Sequence, residues 1–579
     1  MSGSVVYQLT EPITISSTKE NQQIIIKNAE GTTPVLSGNI DINGSDFRLV
    51  EGKSYYSLQL PQTAKQGEFW PQFRDLYLNG ERLQLAKSNE EQFKTDSEYT
   101  LDALDHAVFS ENKLYVAPSL AEKFDGSPNM PELCINIEWT NRIFPVKSFG
   151  EKEYKVDLLL SGGYVTPISV TDEIWQTYQS NDGNKVPFKG RTYWFQNHLA
   201  LLDEAGEFYY DDENGIIYVY PTNGTDMSSS TVSYPALEKL IVLEDSTNVT
   251  IEGLSFTGTT SNYVSEHGFN GQLGGVHATT EDKQYIIPAA AIYSKNSEYL
   301  TIQDCNFDEL GGHAIFLDGK NRQTAVRNNT ITDVAMSAIV LGKQTPSWSA
   351  EYEQRHITIS SNDIYNVATN YLCSPAISIP RVRYLTVTHN TIKHTPYSGI
   401  KVGWMTEAGK GMNIYRTEIA YNRIEDNMYA LNDGAAIYVG GANSTHSDTG
   451  LFNQIHDNYL VAGASQSSKI YDGIYLDMDS SNYDVYSNVV QGFADGQSHR
   501  PIFVQDSVED QWGYNITVRN NFTTNGTISE EYPNVDKTPN GAYANRNVVI
   551  SHNTKCLDDT ELNNNTTAKA IMAAAGVIK

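Results

Sequence analysis

One six-residue phrase recurs along the second half of this 579-residue chain and restricts its fold more than any other feature. It reads apolar-x-x-Asn-x-apolar, as in Val326-Arg-Asn-Asn-Thr-Ile331, Ile359-Ser-Ser-Asn-Asp-Ile364, Val387-Thr-His-Asn-Thr-Ile392 and Ile419-Ala-Tyr-Asn-Arg-Ile424. It returns as Ile455-His-Asp-Asn-Tyr-Leu460, Val485-Tyr-Ser-Asn-Val-Val490, Val518-Arg-Asn-Asn-Phe522 and Ile550-Ser-His-Asn-Thr554. Two earlier copies place Leu254 and Cys305 where the asparagine would stand. From Cys305 through Asn329, Asn362, Asn390, Asn422, Asn458, Asn488, Asn521 and Asn553 the steps are 24 to 36 residues, after a first gap of 51.

A repeat of that length, with two-residue alternation inside it, predicts a β-solenoid. Each coil supplies short strands whose alternate side chains fill a shared core. An asparagine at a bend tolerates left-handed backbone and can hydrogen-bond to the asparagine one coil away, forming a ladder. A β-sandwich with asparagine-rich turns would not place asparagine after the same apolar step in eight consecutive segments.

A further strand belongs to many coils: His313-Ala-Ile-Phe-Leu-Asp318, Ser337-Ala-Ile-Val-Leu-Gly342, Pro375-Ala-Ile-Ser-Ile-Pro380, Ser398-Gly-Ile-Lys-Val-Gly403, Ala435-Ala-Ile-Tyr-Val-Gly440, Asp472-Gly-Ile-Tyr-Leu-Asp477 and Arg500-Pro-Ile-Phe-Val-Gln505. Stacked as one parallel sheet, these strands point Ile and Leu or Val inward. They point Phe316, Val340, Ser378, Lys401, Tyr438, Tyr475 and Phe503 outward. That outer face must bind something or be covered by another segment.

The first 44 residues look like an opening coil. Residues 45–236 have longer loops and a hairpin with Asn214-Gly215 at its turn, which reads as a β-rich insertion. The main solenoid is expected over 237–557, and an amphipathic helix within 558–579 would cap its open end.

Composition removes several classes. Lys+Arg 41 against Asp+Glu 70 leaves a net charge of −29, the wrong sign for a protein that coats nucleic acid. No apolar stretch approaches the roughly 20 residues needed to span a bilayer. The four cysteines form no CxxC pair, so neither a disulfide framework nor a zinc site is expected. Acidity with abundant Tyr, Asn and Thr fits an exported protein: secreted, periplasmic or at the cell surface.

The chemically suggestive residues are paired carboxylates. Asp433 opens one outer-sheet strand, and Asp472, Asp477 and Asp479 lie within eight residues one coil later. Adjacent coils are roughly 4.8 Å apart, so acids on neighbouring coils can reach the roughly 5–9.5 Å separations of glycoside hydrolysis. Crowding raises one of two such pKa values, as a general acid requires. On a straight strand, however, Asp433 and Asp477 would be roughly 20 Å apart at about 3.3 Å per residue. A bend or bulge at Gly434-Ala435-Ala436 is needed to bring them together. The bland reading is a solvated acidic cluster, or one that holds a structural calcium.

Leu76-Tyr-Leu-Asn-Gly-Glu-Arg-Leu-Gln-Leu-Ala86, Leu201–Asp211 leading to Tyr218-Val-Tyr-Pro221, Ser398-Gly-Ile-Lys-Val-Gly-Trp404, Asp433-Gly-Ala-Ala-Ile-Tyr438 and Gly473-Ile-Tyr-Leu-Asp477 carry a resemblance. The chain resembles right-handed parallel β-helix glycoside hydrolases with an inserted β-rich domain, a group that includes α-L-fucosidases and xylanases, β-xylosidases and lacto-N-biosidases. The resemblance implies an all-β fold: a right-handed parallel β-helix with a sandwich- or barrel-like insert and a short C-terminal capping helix. It implies a glycosidase that needs no cofactor or metal, acting on an oligosaccharide or polysaccharide as a monomer or small homo-oligomer. Asp433 and Asp477 are its implied catalytic pair, with Asp472 and Asp479 as further candidates. Lys401, Trp404, Tyr438, Tyr475 and Arg500 would hold the sugar. Ala435, and Met478-Asp479 after the second motif, depart from the group's pattern. The alternatives are a lyase or C5-epimerase acting on uronic acids, and a non-catalytic glycan-binding or tail-spike-like solenoid.

Overall fold

The computed structural model describes residues 5–578 except 17–21, 93–107, 111–112, 116–122, 125–128, 138, 150–155, 161–163, 168–191, 273–274, 278–288, 344–353, 404–413, 441–449, 451–452, 464–470, 478–479, 494–499, 506–513, 525–527 and 531–547. Three long parallel sheets, two of 11 strands and one of 12, run the length of the molecule. A typical coil contributes a strand to each sheet in turn: His313–Asp318, Arg322–Arg327 and Thr330–Val334. We number the three sheets in that order. Each strand pairs in parallel with the equivalent strand of the next coil, for example Ile315 with Ile339 and Val326 with Ile359. The interior is a column of closed aliphatic side chains. The chain is a parallel β-helix.

The asparagine repeat is the corner between the second and third sheets. Asn329, Asn362, Asn390, Asn422, Asn458, Asn488 and Asn521 are buried. Each donates its side-chain amide to the oxygen of the next, at 2.9–3.0 Å, ending on Asn553. Each also reaches a backbone carbonyl of the preceding coil, as Asn362 does to Val326 at 3.1 Å. Because a buried amide left unsatisfied costs roughly 1–3 kcal/mol, the ladder fixes the register of every rung. The left-handed backbone falls one residue earlier than the sequence suggested, at Asn328, Ser361, His389, Tyr421, Asp457, Ser487, Asn520 and His552.

Residues Ile13–Ser16, Ile24–Lys27 and Val35–Ser37 form the opening coil. The chain leaves the helix before residue 44, since Asn39–Asn43 already pairs with Thr231–Pro235 in a separate antiparallel sheet. The expected hairpin is present, with Asp211 opposite Ile216 and Gly215 at φ 70°. The helical coils resume at Ile241–Glu244. They are interrupted once more by Phe269–Gln272, which pairs with the insert strand Thr140–Phe149. Buried ion pairs hold the insert together and, through Arg82 and Asp333, tie it to the coils. Arg74 grips Glu132 with both terminal nitrogens, and Arg82 bridges Asp75 and Asp333, the latter at 2.9 Å.

The C-terminal helices Asp559–Asn564 and Thr566–Ala574 do not lie across the open end. Leu562, Ala568 and Ile571 pack with Val489, Phe522 and Cys556. Val489 and Phe522 alternate with the core residue Val490, so the helices lie along the outer face of the third sheet.

Candidate functional site

The first sheet carries the acids, and a bulge repeated from rung to rung decides which way they point. In a regular parallel strand, successive amides bond to opposite neighbours. Here two consecutive amides donate to the same next rung: Ala376 and Ile377 to the carbonyls of Ser398 and Gly399, and Gly473 and Ile474 to those of Arg500 and Pro501, at 2.9–3.1 Å. Both residues of each such pair face the core, so the first must be small. A Cβ on Gly473 would lie 2.4 Å from both Val490 Cγ1 and the Pro501 carbonyl, and one on Gly399 would lie 2.8 Å from Ile424. Alternation restarts on the other side of the bulge. Asp433, Ala435 and Tyr438 therefore share the outer face, as do Asp472, Tyr475 and Asp477. The straight-strand geometry that kept Asp433 from Asp477 does not apply.

Asp433 sits just before its strand with a left-handed φ of 52°. Tyr397, fully buried, donates its hydroxyl to the Asp433 carbonyl at 3.0 Å. Gly434 is packed against Met428 and Tyr397 so closely that a Cβ would lie 2.8 Å from each. That wedge holds Asp433 in place. Its carboxyl is pushed up to about 7, first by burial and then by the charges of Asp477 and Asp472, with Arg500 opposing.

Asp477 follows the next rung's strand and is 5% exposed. Its carboxylate accepts the Tyr438 hydroxyl, and its backbone amide donates to Val439 at 2.8 Å. Lys401 stacks directly beneath Tyr438 in the same column. Burial pushes the Lys401 amine down to about 7, against the pull of Asp477. Tyr475, above Tyr438, meets it edge-on at 5.2 Å between centroids.

Asp472 is held differently from Asp433 and Asp477. It is fully buried, and Arg500 on the following rung holds it with Nε and Nη2 at 3.0 Å each and a backbone amide at 2.9 Å. Burial raises its carboxyl to about 6 despite that partner. With both oxygens committed to Arg500, Asp472 acts as an anchor for the guanidinium. Trp404 and Asp479 lie outside the described residues.

The structure thus gathers Asp433, Asp472, Asp477, Lys401, Tyr438, Tyr475 and Arg500 on consecutive rungs of one face. The outward column that the sequence left open, from Phe316 to Phe503, is closed to solvent throughout. Sequence reasoning missed Tyr397, which stands just before the expected strand Ser398–Gly403 and carries no signal in the repeat. Among the described residues, no group of three or more His, Cys, Asp or Glu is arranged to hold a metal ion. None of their helices is long and apolar enough to cross a membrane.

A family model described as a right-handed β-helix region matches residues 214–350. No curated protein matches the chain by sequence. One solved structure, described as a glycoside hydrolase, is 18% identical with a TM-score of 0.69, covering 99% of this chain and 90% of its own. XylC in complex with xylose is 11% identical with a TM-score of 0.41, over 95% and 80% of the two chains. A lacto-N-biosidase from Eubacterium ramulus is 11% identical with a TM-score of 0.30, over 55% and 62%. The first of these shares the fold, a right-handed parallel β-helix; the other two superpose too loosely to carry an argument.

Proposed function

We propose that the chain is a glycosidase that cleaves an O-glycosidic bond of an oligosaccharide or polysaccharide with Asp433 and Asp477. The reading rests on one observation: a carboxyl pushed up to about 7 shares the outer face of the first sheet with a second carboxylate. Two carboxyls whose environments drive their pKa values apart supply an acid and its partner. Asp433, raised far enough to keep its proton in about half of the molecules at neutral pH, donates it to the departing glycosidic oxygen. Asp477, held by the Tyr438 hydroxyl, attacks the sugar carbon or deprotonates a water that does so. The separation of the two oxygens selects between these routes. Lys401, Tyr475 and the Asp472-anchored Arg500 position the sugar, and no step calls for a cofactor. The sharing of fold with a glycoside hydrolase supports the same class of chemistry. A substrate of this size would be met outside the cell, at the surface or in the periplasm.

The test is a screen of aryl-glycosides and plant, algal and host glycans for released sugar. Wild type should release sugar from at least one, and neither Asp433→Asn nor Asp477→Asn should. Wild-type turnover by both variants would end the proposal.

One observation favours a second reading. The Lys401 amine, pushed down to about 7, could serve as the base of a uronate lyase, with Arg500 neutralising the substrate carboxylate. An unsaturated product absorbing in the ultraviolet would select that chemistry.

A further inference from the structure

The third sheet carries a concavity of about 490 Å3 on a different wall of the coil from the acids, within the size range of small-ligand sites. Its floor is made by Asp363, Tyr365, Thr391, Lys393 and Arg423, from three consecutive rungs. Its rim is the C-terminal segment Ala575, Gly576 and Val577.

The rim is fastened in place. Gly576 donates its amide to the Tyr421 carbonyl at 2.8 Å, and Val577 donates to Thr391 Oγ1 at 3.1 Å. Gly576 has φ 98°, and a Cβ there would lie 2.9 Å from Thr391 Oγ1. The segment approaches the sheet as closely as glycine permits.

The lining specifies a ligand class. Tyr365 is 51% exposed, with its ring set against His394 at 6.0 Å. Lys393 and Arg423 share the carboxylate of Glu425, Lys393 at 2.9 Å. They are hydrogen-bond donors, and the Asp363 carboxylate together with Glu425 offsets their two charges. An anion would meet that carboxylate, and an apolar molecule would take water from these charged side chains without replacing its hydrogen bonds. A neutral sugar offers an apolar ring face to Tyr365 and hydroxyls to the donors and acceptors around it.

We infer that this concavity is a second, non-catalytic binding site for a neutral glycan, formed by the third sheet and the C-terminal segment. Only the class of ligand rests on the proposed function; the site stands on its own geometry.

The experiment is native gel electrophoresis of the full chain through xylan, laminarin and β-galactan. An Asp433→Asn/Asp477→Asn background prevents digestion. At least one polysaccharide should retard this protein. Adding Tyr365→Ala or Lys393→Ala should weaken the retardation by roughly ten-fold, the scale of one aromatic or polar contact. Melting temperature and, in the unmutated background, aryl-glycoside turnover should be unchanged. Retardation by none of the three, or undiminished retardation of both added variants, overturns the inference. Retardation lost on Tyr365→Ala in a protein whose wild type cleaves nothing would leave this site standing and remove the glycosidase reading. Cleavage by wild type with no effect of either added variant would do the reverse.

Discussion

The first sheet contains the same small arrangement twice. Near its beginning Tyr293 donates its hydroxyl to Asp318 on the next rung at 2.9 Å; near its end Tyr438 does the same to Asp477. The sequences match as closely as the geometry, Ile-Phe-Leu-Asp318 against Ile-Tyr-Leu-Asp477. The surroundings differ. Asp318 is closed off and satisfied: the Gly319 amide reaches it at 2.8 Å and Lys343 at 3.5 Å. Asp477 faces two further acids and a lysine driven toward neutrality. A buried carboxylate with a cation and an amide is at rest, whereas one crowded by acids must share protons with them. The motif makes a strut in one place and a candidate reaction centre in the other.

The largest expected contrast comes from removing each acid. Asp477→Asn or Asp433→Asn should lower kcat by about 10²- to 10⁴-fold, the range of a lost general acid or base. Asp318→Asn should leave kcat within about two-fold while lowering stability by ~1–3 kcal/mol, because Lys343 and the Tyr293 hydroxyl lose their charged partner. Steady-state kinetics and thermal melts on the three variants decide this. If Asp318→Asn were as inactive as Asp477→Asn, the distinction between the two places would be false.

A smaller contrast separates the tyrosines. Tyr438→Phe should reduce kcat by about 10- to 100-fold through a lost hydrogen bond to a charged group. Tyr293→Phe should change only the melting temperature. Equal kinetic effects of the two would show that the Tyr–Asp bond itself, and not its surroundings, carries the role.

The pH dependence sharpens the comparison further. Since Asp433 titrates near 7 in the folded chain and an unperturbed aspartate near 3.9, the folded state keeps a proton that the unfolded chain has released. Its contribution to stability therefore falls as pH rises from about 4 through 7. Asp433→Asn should gain melting temperature relative to wild type across that window, and Asp318→Asn should not follow the same curve. Wild-type kcat/KM should decline above about pH 7 as Asp433 loses its proton, and the same decline in a Lys401→Met variant would exclude the lysine as its source.

The smallest effect is expected at Tyr397. Tyr397→Phe removes the hydroxyl from the Asp433 carbonyl, costs about 1 kcal/mol of stability and should lower kcat by roughly ten-fold with little change in KM. An unchanged kcat would show that Gly434 packing alone holds Asp433.

Much of the fold was legible because the solenoid is written in local, repeated terms. The asparagines at each corner and the aliphatic pairs in each strand recur at spacings that only stacked coils satisfy. The candidate acids stood out for the same reason, as departures from a regular column. A bend or bulge at Gly434-Ala435-Ala436 was called for by the spacing of the acids, but its recurrence on other rungs was not legible, because Gly399 and Gly473 look like ordinary small residues until two successive amides are seen to turn the same way. The partnership of Asp472 with Arg500 was hidden for a similar reason: their 28-residue separation is bridged only by stacking. One amphipathic capping helix was expected within 558–579 where the structure has two, and an apolar stripe does not say which surface it will cover.

The sequence by itself determined that the chain coils and where its corners fall, since both depend on residue type at a repeating step. Tertiary structure alone decided which of two nearly identical Tyr–Asp pairs is neutralised and which is crowded. Electrostatic environment is set by neighbours one rung away and by the depth of burial, and neither quantity is carried by the four residues of the motif.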